Sequence, residues 1–356
     1  MNRGTSRHST LHTYTVADGR IVALMVFGLM FFLGGCAPSN EKGVVVVYTA
    51  LDQIFSEEIL QTFEQRTGIK IKAVYDTEAT KTVGMVNRIL AEQAHPQCDV
   101  FWNNEIVRTV MLKRRGLLAL YASPSANDIP EEIKDAAGYW HGFAARARIL
   151  ICNTDLLSNK DRSVSILDLT GPKWNGKVSL AYPLFGTTAT HAAALFAYWG
   201  DEKAKAYYQA LKANGVVIAD GNATSKDMVA RGEVAVGFTD TDDANVALQQ
   251  GKPVEIIFPD QGEEQMGTLV IPNTVALIKD CPHPEAGKKL IDFLLSREVE
   301  AMLAKSGSAQ MPVRAEVPVP DGNTSLSGVK AMKVDWNDVE AKLIYVSHFM
   351  EELFVR

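Results

Sequence analysis

The chain has few cysteines, no excess of basic charge and no apolar run long enough to span a bilayer. Its four cysteines in 356 residues, Cys36, Cys98, Cys152 and Cys281, are spaced for neither a zinc knuckle nor a CxxC redox pair. With 36 Lys and Arg against 42 Asp and Glu, a formal charge of −6, it lacks the basic face that a nucleic-acid partner requires. The longest apolar run, Ile21 to Leu33, falls short of the roughly 20 residues of a spanning helix. No GxSxG elbow, HExxH helix or GxxxxGK[ST] loop occurs, which argues against an enzyme, and no repeat or low-complexity domain interrupts the chain.

What is present is a globular composition, 47% hydrophobic and 22% charged, at a length that favours two domains or lobes over a single core. Arg3, Arg7 and Arg20 precede the apolar run, and Gly34, Gly35 and Cys36 follow it, the order of a cleavable export signal. The ending Leu33-Gly34-Gly35-Cys36 resembles a bacterial lipoprotein signal. That likeness implies removal of residues 1–35, lipid on the Cys36 sulfur and a tether over residues 36–43. The mature chain would then carry 33 basic against 41 acidic side chains, a balance of −8, and sit lipid-anchored in the periplasm or at an extracytoplasmic membrane face. Among Cys98, Cys152 and Cys281, one disulfide at most is possible.

From Val44 onward, strand and helix patterns alternate. Val44 to Tyr48, Ile69 to Tyr75 and Asp99 to Trp102 read as buried strands. Between them, Phe55, Ile59, Leu60 and Phe63, and then Val83, Val86, Ile89 and Leu90, recur at helical spacing. Leu120 to Trp140 reads as loop with one short helix. Strands follow at Ala144 to Cys152, Val178 to Ala181, Val216 to Ile218, Val254 to Phe258 and Leu269 to Ile278, with helices at Thr190 to Trp199 and Glu202 to Ala213. Trp336 to Phe354 is a last amphipathic helix with Val339, Leu343, Val346, Met350 and Leu353 on one face. The stretch GEVAVGFTDTDDAN, Gly232 to Asn245, reads as a strand over Val234 to Phe238 and a helix from Asp243. That places Asp240, Asp242 and Asp243 at a strand-to-helix turn, where α/β sheets collect ligands.

Several segments, in this order and spacing, resemble the ferric-iron-type solute-binding proteins of bacterial ABC importers: VVVVYTA from Val44, FEQRTGIKIK from Phe63, DVFWNNE from Asp99, GFAARARILICN from Gly142, KWNGKV from Lys173 and PEAGKKLIDFLLS from Pro284. The resemblance implies a two-lobed α/β type II periplasmic-binding-protein fold, each lobe a mixed sheet flanked by helices and the two joined by crossing strands. Lobe 1 would comprise residues 44–145 and 275–356, and lobe 2 residues 146–274. It further implies a small solute or metal ion in the interlobe cleft, permease and ATPase subunits as partners, a monomer, and no cofactor. Ligand sensing on the same scaffold is the alternative to transport.

Carried over by position, the family's metal ligands fall on Asp52, on Glu105 (or Asn104, in the Asn103-Asn104-Glu105 segment), and on Asp242 and Asp243, which stand where iron-binding members have a tyrosine pair. The family's anion turn matches Gly186, Thr187, Thr188 and Ala189, with His191 one turn further on, and Glu78 follows the second strand. Carboxylates from both lobes would face one another and require positive charge from the ligand. Oxygen-only ligation suits Fe³⁺ or another hard cation. An ammonium group suits it equally, if the ligand's anionic end, as in an aminophosphonate, lies on the Gly186 turn.

Overall fold

A computed structural model of the chain describes residues 43–76, 82–158, 160, 162, 164–321 and 323–355. The leader, Cys36 and Glu78 lie outside these described residues, so the expectations attached to them are not addressed by it.

Strands β1 (Val44–Thr49), β2 (Lys70–Tyr75) and β3 (Val100–Asn103) alternate with the helices Gln53–Thr67, Val83–Ala91 and Val107–Arg114. β1 lies between β2 and β3 and runs parallel to both, as expected where each strand is followed by a helix that returns the chain across the sheet. Ile59, Leu60, Phe63, Val86 and Ile89 are buried, so the helical spacing read from the sequence does mark the faces that pack on this sheet.

The sheet changes partners along β5 (His141–Asn153), a strand in which every residue is buried. Its first half pairs antiparallel with β10 (Val270–Ile278), which also pairs with β3 and with the two-residue β4 (Leu118–Ala119). From Arg148 to Asn153 it pairs instead with β8 (Val236–Asp240) and β9 (Val254–Ile257). β8 then continues in parallel to β6 (Val178–Ala181), and β6 to β7 (Val217–Ala219). The mixed α/β architecture expected from the sequence is therefore present, with β5 carrying the chain from one half of the sheet to the other.

Some elements depart from expectation. Helix Gly186–Trp199 starts at the GTT turn itself rather than at Thr190, and Gly186 opens it at a φ of 53° that a side chain would resist. Residues 222–230, to which periodicity assigns nothing, form the helix Asn222–Ala230. This helix packs against β8 over Gly237, where a Cβ would come within 2.9 Å of Ser179 Oγ, Ser225 Oγ and Val229 Cγ2. The close approach, rather than any propensity in NATSKDMVA, holds it there. Residues 120–140 contain two short turns of 3₁₀ helix, Pro124–Ala126 and Glu131–Ile133, where one helix was expected. Cys98, Cys152 and Cys281 are buried free thiols.

The last helix, Trp336–Phe354, occupies the expected span and buries Val339, Leu343, Val346 and Met350. It packs on both Gly186–Trp199 and Val107–Arg114, helices belonging to different halves of the sheet. Ion pairs from Arg114 to Glu340 (2.6 Å) and from Lys342 to Asp201 (2.7 Å) reinforce that bridging position. Among the described residues no helix is long and apolar enough to cross a membrane.

Candidate functional site

A narrow polar cavity opens where the carboxyl ends of parallel strands from both halves of the sheet meet. Asp52 after β1 and Asn104 after β3 line one side. Ala181 and Tyr182 at the end of β6, Asp220 and Gly221 after β7, and Asp240 closing β8 line the other. Asp242 and Asp243 enter from the first turn of the helix Thr241–Gln249, and Arg146 enters from β5.

The two arginines of the ARAR segment organise this site. Residues two apart on a strand share a face, so Arg146 and Arg148 project toward the same side of β5. Arg148 is fully buried, and its Nη1 donates to Asp240 Oδ1 (2.7 Å), Asn222 Oδ1 (3.0 Å) and Thr187 Oγ1 (3.3 Å). Asp240 Oδ2 accepts from Thr187 Oγ1 (2.6 Å) and Asn222 Nδ2 (3.0 Å). Asp240 thus faces the cavity but serves as the anchor that ties β5, β8 and two helix starts together. Burying these charges costs several kcal/mol per ion, which only such multiple pairing offsets.

Arg146 is 3% exposed, and its Nη1 donates to Asp242 Oδ2 at 2.8 Å. Burial would lower its pKa, but Asp242 first, then Asp240, Asp52 and Asp243, hold it above the ordinary arginine value. Its Nε and Nη2 have no hydrogen-bond partner in the protein, although the residue lines the cavity. Both atoms are closed to solvent, as are the equally unpartnered Nε and Nη2 of Arg148, so an anion reaches the Arg146 donors only when the cleft opens.

Two helices begin at the same cavity. Gly186, Thr187 and Thr188 form the first turn of one and Asn222 opens the other, and neither start carries a side-chain cap. Uncapped first-turn amides and the positive ends of the helix dipoles favour a negative group beside them.

Of the positions expected from the sequence, Asp52, Asn104, Thr187, Thr188, Asp240, Asp242 and Asp243 all line this cavity. Asp240, Asp242 and Asp243 each offer an oxygen within 4.8 Å of the others. The structure does not bring Glu105 to them. It is fully buried, and its carboxylate accepts from the Val107 amide (2.7 Å), the Arg108 amide (3.1 Å) and Thr190 Oγ1 (3.0 Å), which caps the helix Val107–Arg114. Asn103 is buried beneath it, donating to Thr109 Oγ1 (3.0 Å) and Glu105 Oε1 (3.2 Å). Ala189 lies below the first turn, its amide already bonded to the Phe185 carbonyl (3.1 Å). His191 is buried edge-on to Phe238 and does not line the cavity, and burial, then Arg148, depresses its pKa to about 3, so it stays neutral.

The expectation that only the ligand supplies positive charge is corrected by Arg146 and Arg148. Sequence reasoning also missed Asn222, Tyr182 and Asp220. A signal for the arginines existed, since two charges at i and i+2 inside an otherwise apolar strand have to face a buried polar site.

The chain belongs to the bacterial extracellular solute-binding proteins, whose family profile matches residues 58–331. These are binding subunits of ABC importers rather than enzymes, which agrees with the resemblance read from the sequence. Among its relatives, a Salmonella typhi periplasmic protein provisionally named for 2-aminoethylphosphonate binding is 27% identical over 339 residues, 91% of this chain and 95% of the relative. Iron uptake protein A1 of Synechocystis is 25% identical over 311 residues, covering 85% and 83% of the two chains. The two-lobed fold matches that of iron-bound HitA from Pseudomonas aeruginosa with a TM-score of 0.78 at 23% identity, covering 86% of this chain and 99% of that one.

Proposed function

We propose that this protein captures a small organic anion bearing an amine, of the aminophosphonate type, and delivers it to the permease and ATPase of an importer. One observation carries the reading. Arg146, buried on the cavity wall with Nε and Nη2 unpartnered, adjoins two uncapped helix starts at Gly186 and Asn222. Guanidinium and first-turn amides together form a receptor for a phosphonate or phosphate group. The remaining carboxylates, Asp52, Asp242 and Asp243, suit an ammonium group on the same molecule, since a carboxylate cluster favours a cationic partner. The ligand for which the Salmonella relative is provisionally named belongs to this class.

The export-signal pattern and Cys36 support lipid anchoring outside the cytoplasm, with residues 44–145 and 275–356 as one lobe and 146–274 as the other. Hinge closure of these lobes would trap the ligand. A hard cation as cargo is the second reading, favoured by the gathered oxygens of Asp240, Asp242 and Asp243, and Arg146 counts against it. Isothermal titration separates the two. The expected result is one-to-one binding of 2-aminoethylphosphonate, with ethylphosphonate, which lacks the amine, at least about tenfold weaker. Binding of Fe³⁺ with no response to the aminophosphonate would overturn the proposal.

A further inference from the structure

We infer that Arg146 sets the ligand class of this pocket: its guanidinium is an internal cation seated among aspartates that would otherwise hold a metal ion, so the site refuses a bare hard cation. The gathered oxygens of Asp240, Asp242 and Asp243, within 4.8 Å of one another, are the donor set that hard cations take. Carboxylates brought this close must either take up protons or acquire a positive neighbour. Here the neighbour is part of the chain. Arg146 Nη1 stands 2.8 Å from Asp242 Oδ2 and 3.9 Å from Asp240 Oδ2.

A metal ion entering the cluster would meet this fixed charge within a few ångströms in a poorly hydrated setting, where like charges repel strongly. The guanidinium cannot swing into solvent to make room, because Arg146 is 3% exposed on a strand whose residues are all buried. The same side chain therefore has two effects. Nη1 pairs with Asp242 while Arg148 holds Asp240, and Nε and Nη2, closed to solvent and without partners in the protein, are donors for an anion once the cleft opens. Substituting this one position would remove the guanidinium paired to Asp242 and the anchor for the anion together, while Arg148 stays on Asp240 Oδ1 at 2.7 Å.

This inference rests on reading the pocket as an anion-and-amine site, yet it has its own test. Wild type, Arg146→Gln and Arg146→Lys are titrated with Tb³⁺ by luminescence and melted with and without it, while wild type is titrated separately with 2-aminoethylphosphonate. Wild type and Arg146→Lys, which keep a cation, are expected to show no saturable Tb³⁺ site in the cluster. Arg146→Gln is expected to gain one site per chain, at least about tenfold tighter than any in wild type, and to lose it when Asp242→Asn and Asp243→Asn are added. If Arg146→Gln is unstable alone, Tb³⁺ should raise its melting temperature and leave that of wild type unchanged.

The inference is overturned if wild type or Arg146→Lys takes up Tb³⁺ at a site that the two asparagine changes remove. It is equally overturned if folded Arg146→Gln gains no site, or if Tb³⁺ fails to rescue an unstable one. Aminophosphonate binding by wild type reports on the functional reading alone. Its absence beside an intact metal switch defeats that reading only, and its presence without a metal switch defeats only the role given to Arg146.

Discussion

Asp243 is the residue at which the amine half of the ligand is best tested, because it lines the cavity, is half-buried and stands outside the Arg146 ion pair that Asp242 makes. Asp243→Asn keeps the shape, and an amide can still accept a bond from Thr239 Oγ1, which reaches Asp243 Oδ2 at 3.2 Å in the native protein. The change removes one negative charge from the side of the pocket assigned to the ammonium group. A hydrogen bond between charged groups contributes about 1.5–3 kcal/mol, so affinity for 2-aminoethylphosphonate should fall roughly 10- to 150-fold. Ethylphosphonate has no amine for Asp243 to hold, and its affinity should hold steady or rise slightly as a negative charge leaves. Isothermal titration of both ligands against both proteins closes a cycle in which the coupling between amine and carboxylate is read directly. Equal losses for the two ligands would refute the reasoning and reduce Asp243 to a residue that shapes the start of its helix.

Other positions give sharper structural expectations. Thr187→Ala removes the 2.6 Å bond to Asp240 and leaves a buried carboxylate short of a donor, which should cost about 1–3 kcal/mol in a urea unfolding experiment. Glu105→Gln should lower stability by a similar amount, roughly 1–3 kcal/mol, through the cap of Val107–Arg114, while leaving ligand affinity unchanged; a large affinity loss would restore Glu105 as a ligand. His191 should weaken the fold in acid. Its pKa is depressed to about 3 by burial and then by Arg148, so the unfolded chain binds a proton below about pH 6.5 that the folded chain refuses. Its stabilising contribution is therefore complete above that pH and declines on acidification toward pH 3, at up to about 1.4 kcal/mol per unit, and His191→Asn should flatten the slope of unfolding free energy against pH.

Much of this architecture was legible in the chain. The short apolar stretches at Val44, Val178 and Val254 became strands, and the apolar stripe from Val339 to Met350 became the bridging helix, because those patterns report burial directly. Asn222–Ala230 was not legible, since its position comes from the close approach that Gly237 allows and not from its own periodicity. The acidic side of the site could be found because three aspartates near a strand end are conspicuous. Its basic side was hidden, because Arg146 and Arg148 lie within a strand recognised mainly by its apolar residues. Glu105 illustrates a further limit. A carboxylate that caps a helix and one that holds a ligand use the same chemistry, and only the positions of the Val107 and Arg108 amides tell them apart.

The central claim is that this pocket takes an amine-bearing anion in preference to a bare metal. The most direct measurement equilibrates the purified protein in phosphate-free buffer with equimolar 2-aminoethylphosphonate and ferric citrate, removes unbound solute, and counts phosphorus and iron per chain by plasma mass spectrometry. One phosphorus and no iron is the predicted result; one iron and no phosphorus would contradict the account.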